Sequence, residues 1–223
     1  FVLERSKEVK GSTLNKDINN MRAFLSWAEE KRYIASDLKI KKVRVMQNPV
    51  VALSCPQVRK LLVTATKYPM LRLRILLAVT TGLRRGDIDA LKTGDVLIDR
   101  NAITTRSHKS KKAMAERPIP EAITTELSNH VATLPDGNAS LFPDRFSRKK
   151  WYRTRANAGF PSLKFHDLRK TFASLLAQRG VSTAVTQRLL EHSTPQLTNE
   201  VYTNVDPVLR QAVEKLPVTE WLR

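Results

Sequence analysis

The chain has 223 residues, and its 39 lysines and arginines against 21 aspartates and glutamates give a formal net charge of +18. The length allows one or two domains with a hydrophobic core. The absence of any run of about 18 apolar residues excludes a transmembrane helix, and the single Cys55 excludes a disulfide framework or a cysteine-rich zinc module. The basic excess indicates a polyanionic partner, most simply a nucleic acid, but composition alone does not separate this from a membrane-surface or ribosome-like binder.

The N-terminal part begins with a predicted helix and a basic linker. Apolar residues recur at helical spacing over 13–34, namely Leu14, Ile18, Met21, Phe24, Leu25 and Ala28. The stretch 39–49 is basic and ends in Pro49, which favours an extended linker. We therefore expect a partial helical domain over 1–48 and a second domain over 49–223. Because the chain begins at Phe1 rather than Met, we also expect a fragment or a processed product.

The second domain is predicted to be mainly helical, with a small antiparallel sheet. Ser54 before Pro56 predicts a capped helix start, and Gly82 predicts the end of the next helix. Short apolar runs around a polar turn predict a hairpin of 96–98 with 102–105, and a third strand over 117–120. Further helices are predicted over about 55–66, 71–81, 84–91, 120–133, 145–157, 166–179, 183–191, 195–203 and 207–215. The fold class is therefore α+β, mainly α.

The segment HDLRKTFAS, residues 166–174, contains a histidine and an arginine at helical spacing. His166 and Arg169 lie three positions apart, which would bring them to one face near a helix N-terminus. The opposite face would pack on the core through an apolar stripe, Leu168, Phe172, Leu175 and Leu176. Imidazole and guanidinium at the positive end of a helix suit a phosphate oxygen. The alternative is a capping histidine and an arginine in a surface ion pair.

The segment TGLRRGDI, residues 81–88, predicts a tight turn between two helices. Gly82 would end the first helix and Arg84 would open the second, which would hold a guanidinium rigidly beside a helix start. Asp87 follows three residues later, close enough to hold Arg84 or a neighbouring histidine. An ordinary helical junction with exposed arginines would have the same pattern.

Two further segments contain groups that are suited to phosphoryl chemistry. His192 precedes Tyr202 by ten residues, and a tyrosine hydroxyl can act as a nucleophile, although such a tyrosine is more often half-buried core. Lysines at 109, 111 and 112 lie in a predicted β turn, from which a lysine can donate a proton to a leaving oxygen. A merely basic loop would have the same composition.

Several clusters of positive charge lie outside these segments. The run 145–155 has six basic residues and no acid, interleaved with Trp151 and Tyr152, and the linker is also basic. A solvated face explains any one run, but several in one chain favour contact with phosphates. The candidates for binding a DNA backbone are Lys41, Lys42, Arg44, Arg148, Lys149, Lys150 and Arg153.

Taken together and in this order, the four segments resemble those of the tyrosine recombinase family, most of all the integrases of phages and mobile elements. The resemblance covers about 50–206 as a catalytic domain, and 1–48 is similar to the end of a helical core-binding domain, much of which would lie before Phe1. It implies catalytic roles for Arg84, Lys109, His166, Arg169, His192 and Tyr202, with Asp87 in support. Lys109 is chosen because SHKS resembles the family's S-K-T turn, and Lys112 is the alternative. The sequence departs from the family at Glu191, where glycine is more usual, and at Asp87, where many members have glutamate.

The resemblance implies a site-specific recombinase that cuts and rejoins DNA through a 3′-phosphotyrosine. No metal and no nucleotide cofactor is implied, because arginines, lysine and imidazoles supply the positive charge, and the phosphotyrosine preserves the bond energy. The implied partners are double-stranded DNA sites and other copies of the chain, as a dimer or tetramer on DNA. The implied location is the cytoplasm of a bacterium or of a phage-infected cell.

Two other functions compete with this interpretation. A type IB topoisomerase would share the nucleophile and the positive charges but would need no second DNA site. A non-catalytic regulator could use 166–191 as a helix-turn-helix, which leaves the joint presence of Arg84, Arg169, His192 and Tyr202 unexplained. The apolar stripe in the tail, 206–223, predicts either a final helix packed on its own domain or, as in the family, a segment docked on a neighbouring protomer; we expect the latter.

Overall fold

The computed structural model describes residues 1–35, 39–45, 51–105, 115–135, 138–190 and 207–222. The chain separates into two compact units, Phe1–Pro49 and Val50–Arg223. Across the described ranges, no helix is both long enough and apolar enough to cross a bilayer.

The first unit contains the helices α1 (Val2–Glu8) and α2 (Gly11–Glu30). Leu14, Ile18 and Ala28 are buried as the helical pattern predicts, but Phe24 is exposed and lies against Trp27 with ring centroids 5.8 Å apart. The predicted helix over 13–34 starts and ends too late. Helix α1 was not predicted because it buries no residue and so has no apolar periodicity.

The basic stretch after α2 is neither helix nor strand over 39–45, and a side chain of α2 holds it in place. The amide of Asn15 accepts from the backbone N–H of Val43 and donates to its carbonyl, both at 2.9 Å. The side chains of Lys41, Lys42 and Arg44 are exposed, as binding to a polyanion requires.

The second unit is mainly helical with one three-stranded sheet, which confirms the predicted fold class. Its helices are α3 (Cys55–Thr64), α4 (Pro69–Thr81), α5 (Arg85–Asp89), α6 (Glu121–Val131), α7 (Arg148–Asn157), α8 (Asp167–Gln178), α9 (Thr183–Leu189), α10 (Pro207–Glu214) and α11 (Val218–Leu222). Its strands are β1 (Val96–Leu97), β2 (Ala102–Thr105) and β3 (Ala115–Pro118). The helix predicted over 195–203 lies outside the described residues.

The sheet is antiparallel, in the order β1-β2-β3, with Val96 opposite Ile103 and Ile103 opposite Arg117. Strand β3 begins and ends two residues earlier than the predicted 117–120. The physical reason is Pro120, which has no N–H for a ladder and instead stands as the N-cap of α6.

The core of the second unit forms between α4 and α8. Nearly every side chain of α4 is buried, and the stripe Leu168, Phe172, Leu175 and Leu176 of α8 is fully buried, as the sequence predicts. Ser54 is the N-cap of α3, where its N–H donates to the side chain of Gln57 at 2.8 Å. These helices provide the rigid frame on which the polar turns of the site are built.

The tail packs on its own unit rather than standing free for a neighbour. Helix α11 lies against α3 and α6, and Trp221 is only 2% exposed. In the single chain, therefore, the tail is a final helix on its own domain, the arrangement that we did not expect. Val218 and Trp221, in the apolar stripe, are buried within the second unit, where α11 packs against α3.

Candidate active site

The turn between α4 and α5 sets the position of Arg84. Gly82 ends α4 in the left-handed conformation, with φ of +66°. A Cβ atom there would lie 2.6 Å from Leu190 Cδ2 and 2.6 Å from Phe172 Cδ1, so both the backbone conformation and the packing require glycine. Arg84, two residues later, is the N-cap of α5, and its side chain is 48% exposed. The turn thus presents a guanidinium to solvent from a fixed backbone.

Asp87 lies beside this guanidinium. Its carboxylate is 3.9 Å from Arg84 Nη1, and its N–H donates to the carbonyl of Arg84 at 3.0 Å. The neighbouring Arg85 is directed elsewhere, with its guanidinium 4.8 Å from the centre of the Phe146 ring. Arg84 rather than Arg85 therefore pairs with Asp87 on this turn.

His166 and Arg169 differ sharply in exposure, although they lie within one helical turn. His166 is the exposed N-cap of α8, whereas Arg169 is 5% exposed. Arg169 Nη1 donates to the carbonyl of Gly82 at 2.6 Å, and Nη2 donates to the carbonyl of Leu190. Arg169 is thus neither a surface ion pair nor an exposed arginine: it connects α8 to the Gly82 turn and to the end of α9.

The start of α8 is itself fixed by Asp167, which the sequence motif did not single out. This carboxylate is 4% exposed, accepts from the N–H of Lys164 at 2.9 Å, and pairs with Lys170 Nζ at 2.9 Å. Its position in the first turn matches the positive end of the helix dipole. Asp167 therefore holds the segment from which His166 projects.

Desolvation lowers the pKa of His166 below its ordinary value of 6.5. The positive charges of Arg169 and Lys170 lower it further, Asp167 opposes them, and Arg84 adds a smaller lowering. The imidazole is therefore neutral at pH 7 and able to accept a proton. Arg84 and Arg169, from the two predicted motifs, therefore both act electrostatically on this histidine.

Two buried arginines that the sequence analysis did not select support this site. Arg117, on β3, is 6% exposed; its Nε donates to Thr105 Oγ1 at 3.1 Å and its Nη1 donates to the carbonyl of Leu189. Arg74, in the middle of α4, forms 2.8 Å ion pairs with Asp89 and Asp144. For Arg74 the available signal was a charged residue inside a mainly apolar run, whereas the sequence around Arg117 gives no such signal. In neither case does the sequence give the distant partner.

The remaining predicted catalytic residues lie outside the described parts of the chain. These are Lys109, with its alternatives Lys111 and Lys112, and His192 and Tyr202. The described residues that flank them are the end of β2, the start of β3, the end of α9 and the start of α10. Their roles stay predictions.

The basic helix α7 presents four of the candidate DNA contacts to solvent, namely Arg148, Lys149, Lys150 and Arg153. Trp151 does not accompany them: it is buried, with its ring 5.3 Å from that of Phe165. The helix therefore uses Trp151 to attach itself to the core and presents its basic side chains to solvent. Tyr152 is exposed.

Within the described ranges, no group of three or more His, Cys, Asp or Glu side chains could hold a metal ion.

Residues 53–208 match the model of the phage integrase family. The chain is 32% identical over 197 residues to the tyrosine recombinase XerA of Thermococcus kodakarensis, in a match that covers 82% of this chain and 69% of the relative. In general it spans about two thirds of the length of the curated XerA relatives that it matches.

Solved structures share the fold. The Tn1549 transposon integrase, in complex with circular intermediate DNA, superposes with a TM-score of 0.70 at 17% identity, over 95% of this chain and 81% of that one. A lambda integrase dimer bound to a COC′ core site gives a TM-score of 0.64 at 19% identity, over 92% and 80%. The family match covers the Gly82 turn, Arg84, His166 and Arg169, and the chain belongs to the phage integrase family of tyrosine recombinases.

Proposed function

We propose that this chain is a site-specific DNA recombinase that cuts and rejoins strands through a 3′-phosphotyrosine at Tyr202, without metal or ATP. The observation that carries the proposal is the junction at Gly82. Arg169 Nη1 donates to the carbonyl of Gly82, and Arg84 follows that glycine by two residues, so the two arginine motifs meet at one turn. The positive charges of both arginines act on His166. Phosphoryl transfer depends mainly on positioning and on neutralising charge, which this cluster supplies.

In the proposed cleavage step, Tyr202 Oη attacks the scissile phosphorus while the bond from phosphorus to the 5′-oxygen breaks. The tyrosine proton passes to His166, whose lowered pKa keeps the imidazole ready to accept it. The leaving 5′-oxygen takes a proton from Lys109. The product is a 3′-phosphotyrosine and a free 5′-hydroxyl, and attack by another 5′-hydroxyl reverses the step and joins a new strand.

The negative charge of the transition state falls on the nonbridging oxygens. Arg84 and Arg169 neutralise it, and His192 donates a hydrogen bond to one of these oxygens. Asp87 holds Arg84 from 3.9 Å. A tyrosine hydroxyl has an ordinary pKa of about 10, and positive charge close to it favours the phenolate.

The proposed partner is duplex DNA bound by more than one copy of the chain. The net charge of +18 and the exposed basic side chains of α7 and 39–45 support contact with a phosphate backbone. The similar lambda integrase was solved as a dimer bound to a core site. We propose the same kind of assembly here, as a dimer or a tetramer, within the cytoplasm.

A nicked suicide substrate tests the function. Cleavage near the nick lets a short strand diffuse away, so the wild-type chain should accumulate a protein–DNA adduct that resists SDS. Tyr202→Phe should form no adduct and still bind the duplex. An adduct from Tyr202→Phe at the wild-type yield would refute the role of Tyr202.

The same assay identifies the general acid. A substrate with a 5′-sulfur leaving group needs no proton donor, so it should restore the rate of Lys109→Ala. Rescue of Lys112→Ala instead would transfer the role to Lys112.

A further inference from the structure

Arg117 connects two parts of the second unit that flank the proposed catalytic segments. On one side its Nε donates to Thr105 Oγ1, at the end of β2. On the other side its Nη1 donates to the carbonyl of Leu189, the last residue of α9. The sequence continues from α9 into 191–206, which contains His192 and Tyr202.

Two buried arginine side chains bind the C-terminal end of α9. The last carbonyls of a helix have no partners within the helix and carry partial negative charge. Arg117 binds the carbonyl of Leu189, and Arg169 binds that of Leu190. Both arginines are almost fully buried, Arg117 on β3 and Arg169 on α8. Packing therefore restricts the positions of both side chains.

The two elements that Arg117 connects, β2 and α9, do not depend on it equally. Strands β2 and β3 are already held together along four residue pairs, from Ala102 opposite Pro118 to Thr105 opposite Ala115. The seven-residue α9 is short, and its final carbonyls are bound by side chains from other elements. Loss of Arg117 should therefore disturb the end of α9 far more than the hairpin.

We propose that Arg117 is a positioning residue for cleavage, which uses the rigid β2–β3 pair to fix the point from which the segment of His192 and Tyr202 begins. This inference rests on the proposed function. Arg117 need not touch DNA: it holds the Leu189 carbonyl at the end of α9, next to the Leu190 carbonyl that Arg169 connects to the Gly82 turn.

The test uses single-turnover adduct formation on the nicked substrate at saturating DNA. Arg117→Lys keeps the charge but cannot hold two acceptors with a planar fork, so we expect the rate to fall about ten- to a hundred-fold, as for a displacement of about 1 Å. Thr105→Val removes the hydroxyl that accepts from Arg117 Nε and should give a smaller loss of the same kind. Arg179→Lys is the control, because Arg179 binds a carbonyl at the opposite end of α8.

Two further measurements separate positioning from stability and from the leaving group. Thermal unfolding of each variant shows whether it is folded at the assay temperature. If Arg117→Lys is not folded there, the rate of Thr105→Val decides the test. The 5′-sulfur substrate should leave the loss in Arg117→Lys in place, because the misplaced group is the nucleophile and not the acid.

Two results would overturn the inference. One is complete rescue of Arg117→Lys by the 5′-sulfur substrate. The other is a loss of rate in folded Arg117→Lys and Thr105→Val that is no larger than the loss in Arg179→Lys. If the wild-type chain forms the Tyr202 adduct and Arg117→Lys matches its rate, only the inference fails. If the wild-type chain forms no adduct, the proposed function fails with it.

Discussion

Substitution of Gly82 by alanine tests the packing that holds Arg84 in place. An alanine would have to adopt the left-handed conformation at φ of +66°, which costs an L-residue about 1–2 kcal/mol. Its Cβ would also come within 2.6 Å of Leu190 and Phe172. Overpacking of this kind costs about 1–3 kcal/mol, so we expect Gly82→Ala to lower the free energy of unfolding by about 2–5 kcal/mol.

Two other glycines provide matched controls. Gly180 also has a positive φ, of +73°, but no atom lies within 4 Å of an added Cβ, so Gly180→Ala should cost only the backbone part, about 1–2 kcal/mol. Gly86, inside α5, has neither restriction. Gly86→Ala should therefore be neutral or stabilising, by up to about 1 kcal/mol.

Urea unfolding followed by circular dichroism measures the three variants under one set of conditions. The expected order of stability is Gly86→Ala at or above the wild-type chain, then Gly180→Ala, then Gly82→Ala. A Gly82→Ala variant no less stable than Gly180→Ala would show that the contacts with Leu190 and Phe172 do not constrain the turn. The adduct assay should show a further loss of rate, because the carbonyl of Gly82 is the acceptor for Arg169.

Three further predictions concern the basic helix, His166 and the tail. Replacing Arg148, Lys149 and Arg153 by glutamine should weaken the salt dependence of DNA binding. In a filter-binding titration, the slope of log K against log salt concentration should fall in magnitude by about 0.9 for each phosphate that the variant no longer neutralises. An unchanged slope would show that α7 does not bind DNA. Because the pKa of His166 is below 6.5 in the folded chain, the unfolded chain takes up the proton first, so this group lowers stability as pH falls below about 6.5. In the same acid range the charged imidazole cannot accept the tyrosine proton, so a pH–rate profile should fall in the wild-type chain, and His166→Gln should lose that acid limb; an identical profile would remove His166 from proton transfer. Trp221→Ala empties a buried position and should cost about 3–5 kcal/mol in urea unfolding, whereas a cost below about 1 kcal/mol would mean that α11 does not rest on α3.

The sequence predicts those parts of the fold whose cause is local. The left-handed Gly82, the cap at Ser54 and the apolar stripe of α8 follow from residue type and spacing, and each is confirmed in the structure. Helix α1 was missed because a short helix that buries nothing has no periodicity to detect.

The interior of the site could not be predicted, because its contacts join residues that are far apart in sequence. Arg169 meets Gly82 across 87 positions, and Arg117 meets Leu189 across 72. Trp151 is a further case: its neighbours in sequence are basic and exposed, and only its contact with Phe165 shows that it belongs to the core. Sequence spacing therefore predicts which chemical groups form the site, while their burial and connections require the fold.

The most direct measurement of the central claim is the chemical identity of the bond between protein and DNA. The adduct from the nicked substrate, formed in EDTA and without nucleotide, would be digested and its modified peptide sequenced by mass spectrometry. We predict a 3′-phosphate attached to Tyr202 Oη. A 5′-linked adduct, attachment to another residue, or a requirement for a divalent ion would contradict the account.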